Sequence, residues 1–245
     1  MLANEAMTSY NILVINPNSS ASITAALERV LLPHTPTGVQ VTFFNPKSGP
    51  RGISDVATAN ESTEACMAEL TGPDASIVLS DFDGVLVCCF SEHPLISALS
   101  EHFAQQKSST VVLGIFHAAI SAALLTPEPF GIIATGTGPK PNHIAGVATM
   151  LGSPTSTRFA GVITTGLAVV DLQDGDQERV ERGMKETTVK LIAQGARTLL
   201  LGCAGMSGMD AWIHEAARSE GQSVRIIDGP KMGVELLVAM IRTSR

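Results

Sequence analysis

Aromatic residues make up only 4% of the 245 positions, with one tryptophan and one tyrosine. A core must therefore come from valine, isoleucine, leucine and alanine. Charge is sparse too, at 16% against 44% hydrophobic residues. That balance excludes a disordered chain and leaves enough apolar material for two small domains. The net charge of −7 excludes the basic stripe that a general nucleic-acid surface needs. The four cysteines, Cys66, Cys88, Cys89 and Cys203, are too few for a disulfide scaffold at this length. They form no C-x-x-C pair and no zinc-spaced cluster with histidine, so no metal site is expected. The N-terminus, Met1 to Met7, has no basic region and no long apolar segment, so no signal peptide is expected. The most apolar stretch, Val111 to Leu125, contains His117 and is too short to span a bilayer. These absences predict a soluble cytoplasmic protein with no membrane or nucleic-acid partner, whose thiols stay free.

What is present is an alternation of apolar runs and helical stretches. Strands are expected at 11–16, 39–44, 84–89, 110–115, 130–134, 159–164, 198–203 and 224–227. Helices are expected from Ser19 or Ser20 to about Leu32, and at 60–70, 118–125 and about 142–151. Others run from Asp176 to about Gln194, through Trp212, and from Pro230 onward. Such βαβα order demands parallel sheets with helices on both faces, an α/β fold. It also carries a weak internal duplication: the run Ile12 to Ser19 resembles Gly131 to Gly138. Two pseudo-symmetric lobes follow, one from residues 1–107 plus about 211–245, the other from about 108–210. Ligands in such sheets bind beyond the carboxyl ends of the strands, so the polar tips are expected to meet in one cleft between the lobes.

Two cysteines occupy matching tips. Cys89 ends the run Gly84 to Cys89 and Cys203 ends Thr198 to Cys203. Two thiols facing each other across a cleft can take a proton from one face of a carbon and return one to the other. A helix N-terminus lowers a thiol pKa, and both cysteines precede an expected helix start. Ser19, Ser91, Thr135 and Thr165, with the amides of Ala204 and Gly205, are candidates to stabilise the enolate. Neighbours on a strand point to opposite faces, so only one of Cys88 and Cys89 is expected to face the cleft; Cys89 is nearer the turn. Cys66, inside a helix, reads as core. His93 has two readings, a pocket residue beside the thiol or a loop histidine satisfied by backbone. His117 follows a strand tip and is a lesser pocket candidate, whereas His34, His102, His143 and His214 read as surface or helix residues. Gly136 and Gly138 lack the lysine and third glycine of phosphate-binding loops. Asp171, Asp174 and Asp176 read as helix-capping residues, not a calcium loop.

Four segments together resemble the aspartate/glutamate/hydantoin racemase superfamily, within it the hydantoin racemase and Dcg1-like branch. They are Ile15 to Ser20, Cys89 to Leu95, Thr164 to Leu172 and Leu201 to Met206. The resemblance implies cofactor-independent two-base catalysis on a small-molecule substrate, usually by a homo-oligomer. It places the catalytic cysteines on Cys89 and Cys203. It also gives the Asn16 to Ser19 turn, with Asn18, polar contacts to the substrate; Gly136, next to Thr135, is a further substrate-binding candidate. Two departures line the expected pocket. Ser91-Glu92-His93-Pro94 replaces the bacterial Asp-Pro-Gly version, and His117 stands where those racemases tend to carry an acid. The expected activity is racemisation of 5-substituted hydantoins, allantoin or a related cyclic amide. Alternatives are an amino-acid racemase, a cis–trans isomerase of a small diacid, or a non-catalytic metabolite-binding protein.

Overall fold

Eight strands form two four-stranded sheets in the computed structural model, which describes residues 9–243. The first contains β1 (Tyr10–Ile15), β2 (Val39–Phe44), β3 (Gly84–Val87) and β4 (Val111–Gly114), in the order β2-β1-β3-β4. The second contains β5 (Phe130–Ala134), β6 (Phe159–Thr164), β7 (Thr198–Gly202) and β8 (Arg225–Ile227), in the order β6-β5-β7-β8. Every pairing is parallel. Adding four to each label of the first sheet generates the second, so the duplication hinted at by Ile12 to Ser19 and Gly131 to Gly138 is a repeat of topology.

Parallel neighbours need crossover connections, and nine helices among the described residues accompany the strands. These are α1 (Ala21–Leu31), α2 (Val56–Thr71), α3 (Pro94–Gln105), α4 (Ile115–Leu124), α5 (Pro141–Leu151), α6 (Asp171–Asp174), α7 (Gln177–Ala193), α8 (Asp210–Ser219) and α9 (Gly229–Thr243). Three core clusters result. The largest joins the inner faces of both sheets (Ile12, Val14 and Leu86 with Ile132, Ala134 and Leu200) through α1, α4 and α9. A second packs α2 and α3 on the outer face of the first sheet through Cys66, Leu70, Leu95, Leu99 and Phe103. The third packs α7 and α8 on the outer face of the second through Val180, Met184, Leu191 and Ile213. Because β3, β5 and β7 are covered on both faces, they read as unbroken apolar runs, without alternation.

The lobe boundaries read from the sequence do not follow the sheets. β4 belongs to the first sheet and β8 to the second, so the strand at 111–114 and the one at 225–227 change places relative to the expected division. The chain returns to the first lobe only with α9, which packs on β3 and β4. Some starts also differ. α2 begins at Val56, where the Asp55 side chain and Thr58 form a reciprocal capping box. α4 begins directly after β4, with Gly114 in extended geometry as its N-cap. No described helix is long and apolar enough to cross a membrane.

Candidate active site

The carboxyl ends of the two sheets meet. Beyond β2, Arg51 pairs with Asp174 at 3.3 Å, and Gly52 packs against Val169. Beyond β3, the Phe90 ring stacks on His143 of α5, with centroids 6.1 Å apart, and meets Phe116 edge-on at 5.3 Å. Gly146 permits this approach of α5. A Cβ there would come within 2.8 Å of Phe116 Cζ, closer than real contacts allow. α5 therefore rides directly on the loop that carries Cys89.

Strand register pairs Ile15 with Val87 and Ala134 with Gly202, so the next residue in each lobe is Cys88 and Cys203. The register counterpart of Cys203 is thus Cys88, one residue before Cys89. Side-chain alternation separates them. Cys88 is 3% exposed and packs among the inter-sheet core residues, whereas Cys203 packs on the opposite face of its sheet with Leu201 and Ile133. Cys89 lies past the strand end, is partly exposed, and holds its sulfur 3.4 Å from Ser91 Oγ. Cys203 is 8% exposed and caps a single 3₁₀ turn, Ala204–Met206. Gly205 lies close by; a Cβ on it would sit 3.8 Å from the Cys203 sulfur.

Both thiols are raised above their ordinary value, contrary to the expectation from helix starts. Burial pushes Cys89 up to about 11, with the Ser91 hydroxyl pulling slightly down. Burial pushes Cys203 up to about 12, opposed by the Gly205 N–H, reinforced by Cys89 and opposed again by Lys140. The reason is local: the helix after Cys89 begins only at Pro94, and the turn after Cys203 is three residues long. Neither offers a full helix dipole near the sulfur. Cys89 is among the groups that raise Cys203, which puts the two sulfurs within electrostatic range of each other.

Several expected pocket residues serve the scaffold instead. Asn16 is fully buried; its amide donates to Asn18 Oδ1, Ser20 O and Thr24 Oγ1 and so knits the β1–α1 turn. Ser19 Oγ donates to Gly49 O and its N–H to Pro50 O, tying that turn to the loop after β2. Asn18 uses its oxygen to accept from Asn16 and from the Ser20 N–H, while its amide nitrogen has no partner among the described residues. His93 is 2% exposed, and both ring nitrogens are occupied. Nδ1 accepts from the Leu95 N–H at 3.2 Å, which puts the ring proton on Nε2, 3.0 Å from Ser62 Oγ. Ser62 in turn donates to Ala59 O. His93 is therefore the N-cap of α3 and its tie to α2, with no nitrogen left for the Cys89 thiol.

Burial pushes His93 down to about 4, from an ordinary 6.5. Below pH 6.5 the unfolded chain takes up this proton first, so His93 lowers stability progressively as pH falls from 6.5 towards 4. His93→Ala should cost about 1–3 kcal/mol at pH 7 through the lost cap and the unpaired Ser62. The difference in Tm between wild type and variant should shrink towards pH 5; a constant difference would show that this histidine does not titrate as a buried base.

Of the remaining candidates, Ser91 follows β3, Thr135 and Gly136 follow β5, Thr165 follows β6, and Ala204 and Gly205 follow β7. The 135–138 and 165–167 loops are locked together, Gly136 N–H to Leu167 O and Gly166 N–H to Gly136 O. Thr165 Oγ1 accepts from the Leu167 N–H. His117 sits in the first turn of α4, partly exposed, its ring 5.6 Å from that of Phe116. His143, expected as a surface or helix residue, lies in α5 and packs on Phe90 and Phe116, and burial with the Lys140 charge lowers it to about 4. Lys140, absent from the sequence-based candidates, is the other residue to note: its ammonium lies over Gly136, and its charge acts on both Cys203 and His143. The motif around it, Gly136-Thr137-Gly138-Pro139-Lys140-Pro141, has no helical or strand periodicity to signal a role. The two cavities that stand out on the surface lie elsewhere, one between the end of α1 and α9, the other between α7 and α8.

The class that fold and sequence define is a duplicated parallel α/β protein with a thiol just past β3 and another just past β7. Residues 12–237 match the Asp/Glu/Hydantoin racemase family model, and the chain belongs to that family, whose racemases are isomerases. It is 31% identical to a hydantoin racemase of Rhizobium meliloti over 93% of this chain and 87% of that protein. Protein DCG1 of Saccharomyces cerevisiae is 28% identical over 94% of this chain and 96% of its own. An allantoin racemase structure from Klebsiella pneumoniae superposes with a TM-score of 0.74 at 21% identity, covering 96% of this chain and 89% of that one.

Proposed function

We propose that the protein racemises a 5-substituted hydantoin, allantoin or a related cyclic amide, with Cys89 and Cys203 as its two bases. The observation that carries this reading is the placement of one thiol on each repeat, close enough that the charge of one raises the pKa of the other. One sulfur, as thiolate, takes the proton from the stereocentre, and the bonding pair moves into the adjacent carbonyl as an enolate. The other thiol returns a proton to the opposite face and is left as the thiolate. The two exchange roles in the reverse direction. Ring amides suit this chemistry because carbonyl and ureide groups make the C–H more acidic than in a free amino acid. Thr135, Thr165, Ser91 and the free amide nitrogen of Asn18 are the polar groups available to a ring carbonyl. Kinship with the Rhizobium meliloti hydantoin racemase supports the substrate class.

The test is a polarimetric screen of single-enantiomer hydantoins, allantoin, and free aspartate and glutamate. A cyclic amide should lose optical rotation while the amino acids keep theirs. Decay confined to amino acids would move the protein to the amino-acid racemases, and no decay at all would remove the racemase reading.

A further inference from the structure

Two-thiol proton transfer carries one negative charge through the cleft at every stage: thiolate, then enolate, then the other thiolate. A buried charge without a partner is costly, so the site needs a cation. The histidines do not supply it. His93 and His143 are both held neutral by burial, and among the described residues no Arg side chain hydrogen-bonds or ion-pairs with residues 88–95 or 203–207. Arg51 is exposed and paired with Asp174, while Arg179 reaches Gly166 O from an exposed position.

Lys140 is the exception. Its residue precedes α5, and its ammonium lies directly over Gly136, where a Cβ would come within 2.8 Å of Nζ. Gly136 follows Thr135 at the tip of β5, and β5 pairs with β7 so that Ala134 lies beside Gly202. The ammonium thus sits over the strand tip adjacent to Cys203. Gly136 also adopts φ +81, a left-handed backbone that favours glycine, and with no side chain there the lysine can fold back over the loop. Lys140 forms no ion pair and no side-chain hydrogen bond within the described residues, although it is only partly exposed. The other lysines of the second lobe and α9 that lie in ion pairs, Lys185 and Lys231, each have two carboxylate neighbours. An ammonium left unpaired over the strand tip next to that of Cys203 is placed for an anion that arrives or develops during turnover.

We propose that Lys140 is the counter-ion of the site: it balances the negative charge that moves between Cys203, the enolate oxygen and Cys89. The proposal rests on the two-thiol reading for its role in turnover, but not for its effect on Cys203, which exists without substrate. Its field lowers the Cys203 thiol against the stronger upward push of burial.

The experiment compares wild type with Lys140→Arg, Lys140→Met and Lys140→Glu. First, without substrate, the rate of iodoacetamide alkylation of Cys203 is measured at pH 8.5, where the fold is intact, by peptide mass spectrometry. The rate should fall in the order Arg, Met, Glu, with Arg close to wild type and Met slower by about tenfold, as a rise of about one pH unit in the thiol requires. Because Lys140 has no structural partner, Tm should barely change across the series. An identical rate in all four proteins overturns the proposal, whatever the substrate proves to be. Second, with a racemised cyclic amide, Lys140→Met should lose about 10–100-fold in kcat, with less change in KM, and Lys140→Arg should recover most of it. A loss confined to KM, or one that Arg does not rescue, counts against the counter-ion role. Absence of any racemised substrate would remove the two-thiol reading yet leave the alkylation series as an independent result.

Discussion

Cys203→Ser and Cys89→Ser should each lose racemisation by at least about 10³-fold while keeping the fold. Placed acid–base groups contribute about 10²–10⁴-fold each, and a serine hydroxyl is far too weak an acid to stand in as a resting base. The two losses are not additive, because either substitution breaks the same relay; the double variant should be little worse than the singles. Each single variant should still exchange the stereocentre hydrogen of one enantiomer with solvent, since one sulfur still faces one side of the carbon. Opposite enantiomers should be served by the two variants. Cys88→Ser is the internal control. Cys88 lies in the inter-sheet core, so its loss should appear in Tm and leave turnover per folded molecule within about twofold of wild type. A Cys203→Ser protein with a third or more of wild-type turnover would remove Cys203 from the chemistry.

Alkaline unfolding is the second large effect expected. Cys66, Cys88 and Cys203 are all buried, and burial raises each thiol above its ordinary 9, Cys66 to about 12 and Cys203 to about 12; the partly exposed Cys89, raised to about 11, adds a smaller share. A raised folded pKa gives stability that is fully present below pH 9 and is lost as pH climbs towards the folded value, because the unfolded chain releases its protons first. Each such thiol contributes a slope of about 1.4 kcal/mol per pH unit in that window. Three of them give about 4 kcal/mol per unit, against a total stability of about 5–15 kcal/mol for a typical protein. Tm should therefore hold between pH 7 and 8.5 and fall steeply between pH 9 and 11. Cys66→Ala, which removes one titrating group from the α2 layer, should flatten that fall by about a third. An unchanged slope in Cys66→Ala would show that these thiols ionise freely in the folded state.

Most of the fold was legible because its strands are buried on both faces. Runs such as Ile12 to Ile15 and Leu199 to Leu201 have no polar interruption, and the Gly and Pro signals between them fix the alternation. Lobe membership was not legible: a four-residue strand such as β4 carries no mark of which sheet it joins, and the choice is made by tertiary packing of α4 and α9. At the site, the two cysteines stood out through their strand-tip context. Asn16, Ser19 and His93 stood out for the same reason but are consumed by the turns themselves. A strand tip must satisfy its own backbone before it can bind anything, and Asn, Ser and a pre-proline His are suited to that task. Lys140 escaped notice because its significance lies in an absence, the lack of a partner, which only three-dimensional placement reveals.

The most direct test of the central claim, that two sulfurs work on opposite faces of one carbon, is racemisation of a single enantiomer in D2O followed to low conversion. Two bases predict that the new enantiomer carries deuterium from its first appearance while the remaining starting enantiomer stays protiated. Equal early labelling of both enantiomers, or product that keeps its original hydrogen, would contradict it.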